Sequence, residues 1–192
     1  MPQRSNRQSL IEGTLRCLER LPPERITARA IAAESGANLA SIRYHFGSKD
    51  DLVSEAAIEG LDRWLEEIDA RLAELPAQSP AARFRAAMGV VEETRRRHLG
   101  LARNYISAIA KAQHHPEMRR RLARGFRDAR PNVAAVLGLG EDQAGEDAGA
   151  LVLSLFHGLL LQVLLDPDLA IDGDRIKRAQ ARLLRVLPGQ TS

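Results

Sequence analysis

The chain has 192 residues, of which 44% are hydrophobic and 4% aromatic, a composition that suits a globular protein with one sizeable core or two smaller ones. A single cysteine excludes an internal disulfide bond, and the first residues lack the apolar segment of a signal peptide, so we expect a cytoplasmic protein. The net charge of +3 is carried by residues 1–50, which contain eight Lys/Arg and five Asp/Glu, as expected if this part meets phosphates.

The first predicted helix runs from Ser5 to Arg20. Its apolar residues recur at helical spacing, and Pro22 and Pro23 prevent its continuation. Gly13, near the middle, is an unfavourable helix residue, so we expect close packing against a neighbouring element there. Cys17 lies among leucines, which is typical of a small buried side chain rather than of a redox-active thiol.

Two short helices joined by a tight turn are predicted next. Thr27 and Asn38 each precede a run of helix-forming residues and are expected to be N-caps. Gly36 supplies the left-handed conformation that ends the first of these helices. The second helix has one apolar face, and its other face carries hydrogen-bonding side chains, as does a helix that enters the major groove of DNA.

A capping box follows the two short helices. Ser48 and Asp51 have the spacing at which the serine hydroxyl accepts a hydrogen bond from the Asp51 amide while the carboxylate reaches back. The helix that begins here keeps its apolar period as far as Leu75, about seven turns. Lys49 lies in its first turn, where a phosphate is favoured.

These residues resemble the TetR family of bacterial transcriptional regulators. The family's N-terminal signature has a Thr-led helix, a glycine turn and an aromatic-His-Phe-x-Ser-Lys ending, which here is Tyr44-His45-Phe46-Gly47-Ser48-Lys49. The resemblance implies an all-α fold of about nine helices, with a helix-turn-helix DNA-binding domain at residues 1–47 and a helical effector-binding and dimerisation domain at residues 48–192. The residues expected to bind DNA are Thr27, Arg29, Asn38, Leu39, Ala40, Ser41, Arg43, Tyr44, His45 and Lys49.

Arg43 departs from the family pattern, because it stands where a tyrosine usually contacts the DNA backbone. An arginine can make the same contact and can also reach a guanine edge, so both roles stay open. Spacing alone is equally compatible with a helical hairpin whose polar side chains are merely solvated. The joint presence of both caps, the glycine turn and the Phe-x-Ser-Lys ending is what favours DNA binding.

A further pair of helices is predicted after a short linker. Ser79-Pro80 provides an N-cap and a first-turn proline for the first of them. The basic run Arg95–His98 is expected to close this helix as a solvated C-terminus, and a separate helix is predicted from Leu99 to Gln113.

The next predicted helix runs from Pro116 to Leu137, and Pro131 should kink or break it. His114 and His115 precede it as adjacent histidines. Their side chains point in different directions, and no second pair of ligands stands at the spacing of a tetrahedral site, so we expect no metal.

The most apolar predicted helix includes the run Leu151–Leu165. This run is interrupted by polar residues and is too short and too polar to cross a bilayer, so no membrane partner is expected. A helix that is apolar nearly all round must be buried on two sides, against its own body and against a second copy of the chain. A last helix is predicted from the N-cap Asp172 through Leu187. In the resembled family these two helices form a four-helix dimer interface.

The function expected from these features is that of a homodimeric TetR-like repressor that binds a near-palindromic double-stranded operator and is released by a small-molecule effector. The alternative is a dimeric DNA-binding protein with no effector. The residues chosen as an effector pocket, which would equally suit an ordinary core, are Trp64, Phe84, Met88, Tyr105, Ile109, Gln113, Phe156 and His157. The five histidines have no Ser-His-Asp order, HExxH motif or phosphate loop beside them, so neither an enzyme nor a cofactor is expected.

Overall fold

The computed structural model describes residues 6–74, 79–171 and 173–183, and this part of the chain is helical without a strand. Its α-helices are α1 (Asn6–Arg20), α2 (Ala28–Ser35), α3 (Leu39–Phe46), α4 (Lys49–Ala73), α5 (Pro80–Ala112), α6 (Pro116–Leu137), α7 (Gln143–Leu165) and α8 (Gly173–Leu183). The all-α fold is therefore confirmed. The predicted helix start at Ser5, the end of the long helix at Leu75, the cap at Asp172 and the last turns to Leu187 lie outside the described residues.

The chain divides into two compact units. The first unit comprises Met1–Ala70 with Thr94–Ala129, and the second comprises Arg71–Glu93 with Arg130–Ser192. The first unit thus contains α1 to α3, most of α4, the second part of α5 and the first part of α6.

Local hydrogen bonds hold the two short helices as the sequence predicts. Thr27 Oγ1 accepts from the Ala30 amide at 3.1 Å, and Asn38 Oδ1 accepts from the Ser41 amide at 3.1 Å. Gly36 has a φ of 69°, the left-handed conformation that ends α2. Both N-caps and the glycine turn are therefore confirmed.

The capping box at the start of α4 is confirmed in its first half. Ser48 Oγ accepts from the Asp51 amide at 3.0 Å. The Asp51 carboxylate, however, accepts from the Ser48 hydroxyl at 2.6 Å. The two side chains are thus hydrogen-bonded to each other, and the Ser48 hydroxyl also accepts from the Asp51 amide, one of the backbone donors at the start of the helix that lacks a partner within it.

The packing of α1 on α2 depends on the glycine near the middle of α1. A Cβ atom at Gly13 would lie 2.6 Å from Ser35 Cβ and 2.8 Å from the Ser35 backbone nitrogen. The close approach predicted from the sequence is confirmed. It brings the buried residues Leu10 and Ile11 of α1 into the same core as Ile31 of α2.

We expect Gly13→Ala to destabilise the protein by about 1–3 kcal/mol, because separating α1 from α2 costs more than the roughly 1 kcal/mol that alanine gains in a helix. Gly125→Ala is the matched control. Gly125 lies in α6 of the same unit with no atom within 4 Å of a Cβ placed there, so that change should stabilise the helix. Urea denaturation followed by circular dichroism measures both, and a gain in stability for both variants would contradict the close packing.

The two helices predicted at residues 80–98 and 99–113 form one helix of 33 residues, α5, so the described residues form eight helices where about nine were expected. The basic run does not end the helix because arginine is a good helix former and Arg97 pairs with Glu67 of α4 at 2.7 Å. The glycine after this run also has a packing role. A Cβ atom at Gly100 would overlap the carbonyl oxygen of Leu18, so α1 and α5 approach each other backbone to backbone.

The sequence predicted a kink or a break at Pro131. Helix α6 continues past this residue to Leu137, so it is not broken there. Proline removes one backbone donor and displaces the carbonyl four residues earlier, which belongs to Arg127. Both residues are exposed, so water can satisfy that carbonyl.

Helix α7 has 23 residues and is long and apolar enough to cross a membrane by length and composition alone, a test that the core helix of a soluble protein also passes. The sequence argument that this helix is too short was wrong, because it counted only the run from Leu151 and the helix begins at Gln143. One side of α7 is buried and includes Leu153, Phe156 and Leu160.

Candidate DNA-binding face

Helix α3 is anchored by one buried apolar residue and exposes its other side chains. Ile42 is buried in the first unit, while Tyr44 is 85% and Leu39 48% exposed. The predicted DNA-binding residues that are exposed are Thr27, Arg29, Asn38, Leu39, Ala40, Arg43 and Tyr44, and those that are half-buried are Ser41, His45 and Lys49. A short helix held in this way leaves its polar side free for a groove of DNA.

The two N-cap side chains on this face already form hydrogen bonds within the protein. The oxygens of Thr27 and Asn38 accept hydrogen bonds from backbone amides. The Thr27 hydroxyl can still donate its proton, and the Asn38 amide nitrogen is a further donor. These groups can therefore donate to phosphate oxygens without giving up their caps.

Arg43 and Lys49 differ in how far they are already engaged. Arg43 is exposed and forms no ion pair with a residue in the described ranges. Lys49 Nζ lies 3.0 Å from Asp50 Oδ1 and 3.4 Å from the carbonyl oxygen of Ile26. The hydrogen bond from Lys49 lowers the pKa of the Asp50 carboxyl. A phosphate at Lys49 must therefore compete with this carboxylate, which the sequence did not show.

A charged bridge connects α1 to α4 within the first unit. Arg63 donates to both carboxylate oxygens of Glu12, at 2.7 Å and 3.1 Å, and to Glu59 at 2.6 Å. These hydrogen bonds, with Glu12 first, raise the pKa of the Arg63 guanidinium. A bidentate arginine fixes direction as well as distance, so α1 is held to α4 in one orientation. Sequence spacing gave no signal for this pair, whose members are 51 residues apart.

A second bridge is centred on Glu55 of α4. Glu55 pairs with Arg7 of α1 and, at 2.8 Å, with Arg121 of α6. The Arg7 guanidinium also lies 5.3 Å from the centroid of the Phe46 ring, at the end of α3. The Glu55 carboxylate thus links Arg121 of α6 to Arg7, and Arg7 in turn contacts α3 at Phe46.

The eight predicted effector residues are divided equally between the two units. In the first unit Trp64 and Tyr105 are buried, Ile109 is half-buried and Gln113 is exposed. Burial raises the pKa of Tyr105 to about 12, so its hydroxyl stays protonated at neutral pH. In the second unit Phe156 is buried, and Phe84, Met88 and His157 are half-buried.

Two of these residues have polar contacts typical of core positions. Trp64 is 1% exposed, its Nε1 donates to Thr94 Oγ1 at 2.8 Å, and its ring lies 4.7 Å from that of His98, centroid to centroid. His157 Nδ1 lies 2.6 Å from the carbonyl oxygen of Leu153, one turn earlier. Burial lowers the pKa of both histidines, which favours their neutral forms.

A cleft of about 180 Å³ lies among α1, α4 and α5 within the first unit. Trp64 and His98 line it together with charged side chains. Most of these charges are paired inside the protein, Arg63 with Glu12, Glu67 with Arg97 and Arg16 with Glu34. The volume is below the roughly 300 Å³ at which drug-sized pockets begin.

Two family sequence profiles match this chain. Residues 10–56 match the bacterial regulatory proteins of the tetR family, and residues 80–188 match the C-terminal part of the BetI-type transcriptional repressors. No curated protein sequence matches the chain significantly.

Solved structures with a similar fold cover nearly the whole chain. The multidrug binding protein EbrR, complexed with imidazole, is 27% identical, with a TM-score of 0.59 over 94% of this chain and 96% of that one. A transcriptional regulator from Rhodococcus sp. Rha1 is 22% identical, with a TM-score of 0.61 over 91% of each chain. A regulator from Saccharomonospora viridis in complex with choline is 19% identical, with a TM-score of 0.64 over 95% and 97%.

The family matches and the geometry agree. The tetR-family profile covers the helix-turn-helix with its exposed α3, and the BetI-type profile alone spans more than half of the chain. This chain therefore belongs to the TetR family of bacterial transcriptional regulators, which are DNA-binding proteins rather than enzymes.

Proposed function

We propose that this protein is a homodimeric repressor that binds a near-palindromic operator in the cytoplasm and releases it when a small-molecule effector binds. The observation that carries the proposal is the exposed polar side of α3, held by both N-caps and by buried Ile42. Residues 1–47 would form the DNA-binding domain, and residues 48–192 the domain for the effector and for dimerisation. The partners are then duplex DNA, an effector and a second copy, with no membrane.

Dimerisation is supported by an exposed leucine stripe on α7. We define the α7 stripe as Leu151, Leu155, Leu161 and Leu165, which are all exposed, Leu151 to 74% and Leu165 to 76%. Their spacing places them on one side of the helix. Burying apolar surface stabilises association by about 25 cal/mol per Å², and a two-fold pair of α7 helices buries the stripe on both copies.

A dimer also explains how one short helix reaches useful specificity. A single α3 offers few base contacts, whereas two copies related by a two-fold axis read half-sites about 34 Å apart, one turn of DNA. The proposed operator is therefore an inverted repeat. Each arm of the repeat contacts the same side chains of one copy of α3. Among them, Arg43 can contact either a base or the DNA backbone.

An effector is supported by two relatives of similar fold that hold small molecules, EbrR with imidazole and the Saccharomonospora viridis regulator with choline. To act, the effector must bind the DNA-free conformation more tightly than the DNA-bound one. The second candidate function is a dimeric DNA-binding protein without an effector. The 180 Å³ cleft of the first unit favours that alternative, because it is smaller than a drug-sized pocket and most of its charged side chains are paired within the protein.

The test of the proposed function is selection of bound sequences from a random duplex pool at low salt, followed by sequencing. We expect an inverted repeat with half-site centres about ten base pairs apart. Titration of the selected duplex complex with candidate small molecules then separates the two functions, because only an effector lowers operator affinity. Failure to bind any duplex at low salt would contradict DNA binding by this chain.

Arg43→Ala should weaken operator binding in one of two distinguishable ways. Loss of a base contact relaxes the preference at one base pair of each half-site by about 1–3 kcal/mol. Loss of a backbone contact instead weakens binding to all sequences alike and reduces the magnitude of the salt slope by about 2, one for each copy of the chain. Fluorescence anisotropy with the selected duplex and its single-base variants measures both. Arg85→Ala, at an exposed arginine of α5, is the charge-matched control. Affinity equal to that of the control would remove Arg43 from the contact.

A further inference from the structure

Positive charge is concentrated in a segment far from the helix-turn-helix in sequence. Residues 94–129 contain ten Lys/Arg and only two Asp/Glu. This segment belongs to the same compact unit as α1, α2 and α3. No helix ends at the basic run 95–98, so a solvated helix end does not explain these charges.

The corner between α5 and α6 is attached directly to the first turns of α4. Lys111 Nζ lies 3.2 Å from the Asp50 carbonyl oxygen and 3.2 Å from Ser54 Oγ. The next residue of α4, Glu55, pairs with Arg121 of α6 and with Arg7 of α1. The corner therefore lies beside the beginnings of α1 and α4, and Lys49, a predicted DNA contact, is next to Asp50 in the chain.

The arginines that follow on α6 are not used by these contacts. Arg120, Arg124 and Arg127, which we call the arginine stripe, stand at i, i+4 and i+7 and so share one side of the helix over about 10 Å. All three are exposed, and none forms an ion pair with a residue of the described ranges. Arg121 lies between the first two in sequence and has Glu55 as its partner, so it is not counted in the stripe.

We propose that the arginine stripe is a second DNA contact, which binds backbone phosphates flanking the operator. The inference rests on the proposed function, since it requires DNA bound at α3. Duplex DNA carries one phosphate charge per roughly 1.7 Å of its axis, so the phosphates continue past each half-site. Electrostatic attraction acts over about 8 Å at physiological salt, and arginine binds phosphate with two parallel hydrogen bonds. Such contacts add affinity and fix position without reading sequence.

The test compares two charge-matched triple variants on two lengths of operator duplex. One variant is Arg120→Gln/Arg124→Gln/Arg127→Gln. The control, Arg85→Gln/Arg96→Gln/Arg103→Gln, removes the same charge from three exposed positions of α5. One duplex ends at the operator and the other extends about ten base pairs beyond each arm. Anisotropy titrations at several salt concentrations give the affinity and the salt slope, and circular dichroism checks folding.

On the long duplex the stripe variant should lose about tenfold or more in affinity. The magnitude of its salt slope should fall by about 2 to 5, as expected when each of the two copies loses one to three phosphate contacts. On the short duplex the stripe variant should bind with the affinity of the wild type. The control variant should bind both duplexes with the affinity of the wild type. Equal affinities of the two variants on the long duplex would overturn the inference while leaving operator binding by α3 intact. The same loss on both duplexes would also overturn it, because the contact would then lie within the operator. Absence of wild-type binding would instead contradict the proposed function.

Discussion

Leu155→Asp combined with Leu183→Asp should convert the proposed dimer to a monomer and lower operator affinity by about a hundredfold or more. Both leucines are exposed in the single chain, so aspartate there costs the folded monomer little. In a dimer the same carboxylates would be buried against an apolar partner, which costs several kcal/mol for each unpaired charge. A monomer retains one half-site only and loses the gain from simultaneous binding of two.

Sedimentation equilibrium measures the change in association, and anisotropy with the selected duplex measures the change in affinity. The control is Ala81→Asp with Ala135→Asp, which adds two carboxylates at exposed positions of α5 and α6 rather than of α7 and α8. The control should stay dimeric and bind DNA normally. A double leucine variant that remains a dimer would show that α7 and α8 do not form the interface.

Trp64→Ala should lower the free energy of unfolding by about 3–5 kcal/mol, a large part of the 5–15 kcal/mol typical of a folded domain. The indole is almost wholly buried, stacks against His98 and donates a hydrogen bond to Thr94. Trp64→Phe keeps most of the apolar contact and should cost less. The unfolding is followed by far-ultraviolet circular dichroism, because Trp64 is the one tryptophan of the chain and its fluorescence is lost in both variants.

The same pair of variants separates a core role for Trp64 from effector contact. If Trp64 serves only the core, the phenylalanine variant should bind operator DNA and respond to an effector as the wild type does. A variant of unchanged stability whose effector response is lost would contradict the core role and place Trp64 in the pocket.

The parts of the fold that depend on neighbouring residues were predictable from the sequence. The caps at Thr27 and Asn38, the turn at Gly36 and the close approach at Gly13 each follow from the chemistry of one residue and its immediate context. The continuity of α5 was not predicted, because a basic run was interpreted as a helix end although its partner Glu67 lies on another helix.

In the candidate site, too, features set by neighbouring residues were predictable, and features set by tertiary contacts were not. Exposure of Tyr44 follows from the apolar period of α3, which is visible in the sequence. The engagement of Lys49 with Asp50 and Ile26 depends on tertiary contacts that spacing does not reveal. The effector residues were chosen for apolar character at helical spacing, a pattern that a packed core and a pocket share, and Gln113 proved to be exposed.

The reactivity of Cys17 can report local opening of the protein around α1. It is the one cysteine of the chain, it is buried in α1, and burial raises the pKa of its thiol. In the native state the reactive thiolate is therefore both scarce and shielded from alkylating reagents. The rate of alkylation consequently measures how often α1 separates from its neighbours. Because the native thiol is shielded, cysteines introduced on the surface can carry spin or fluorescent labels without first removing Cys17.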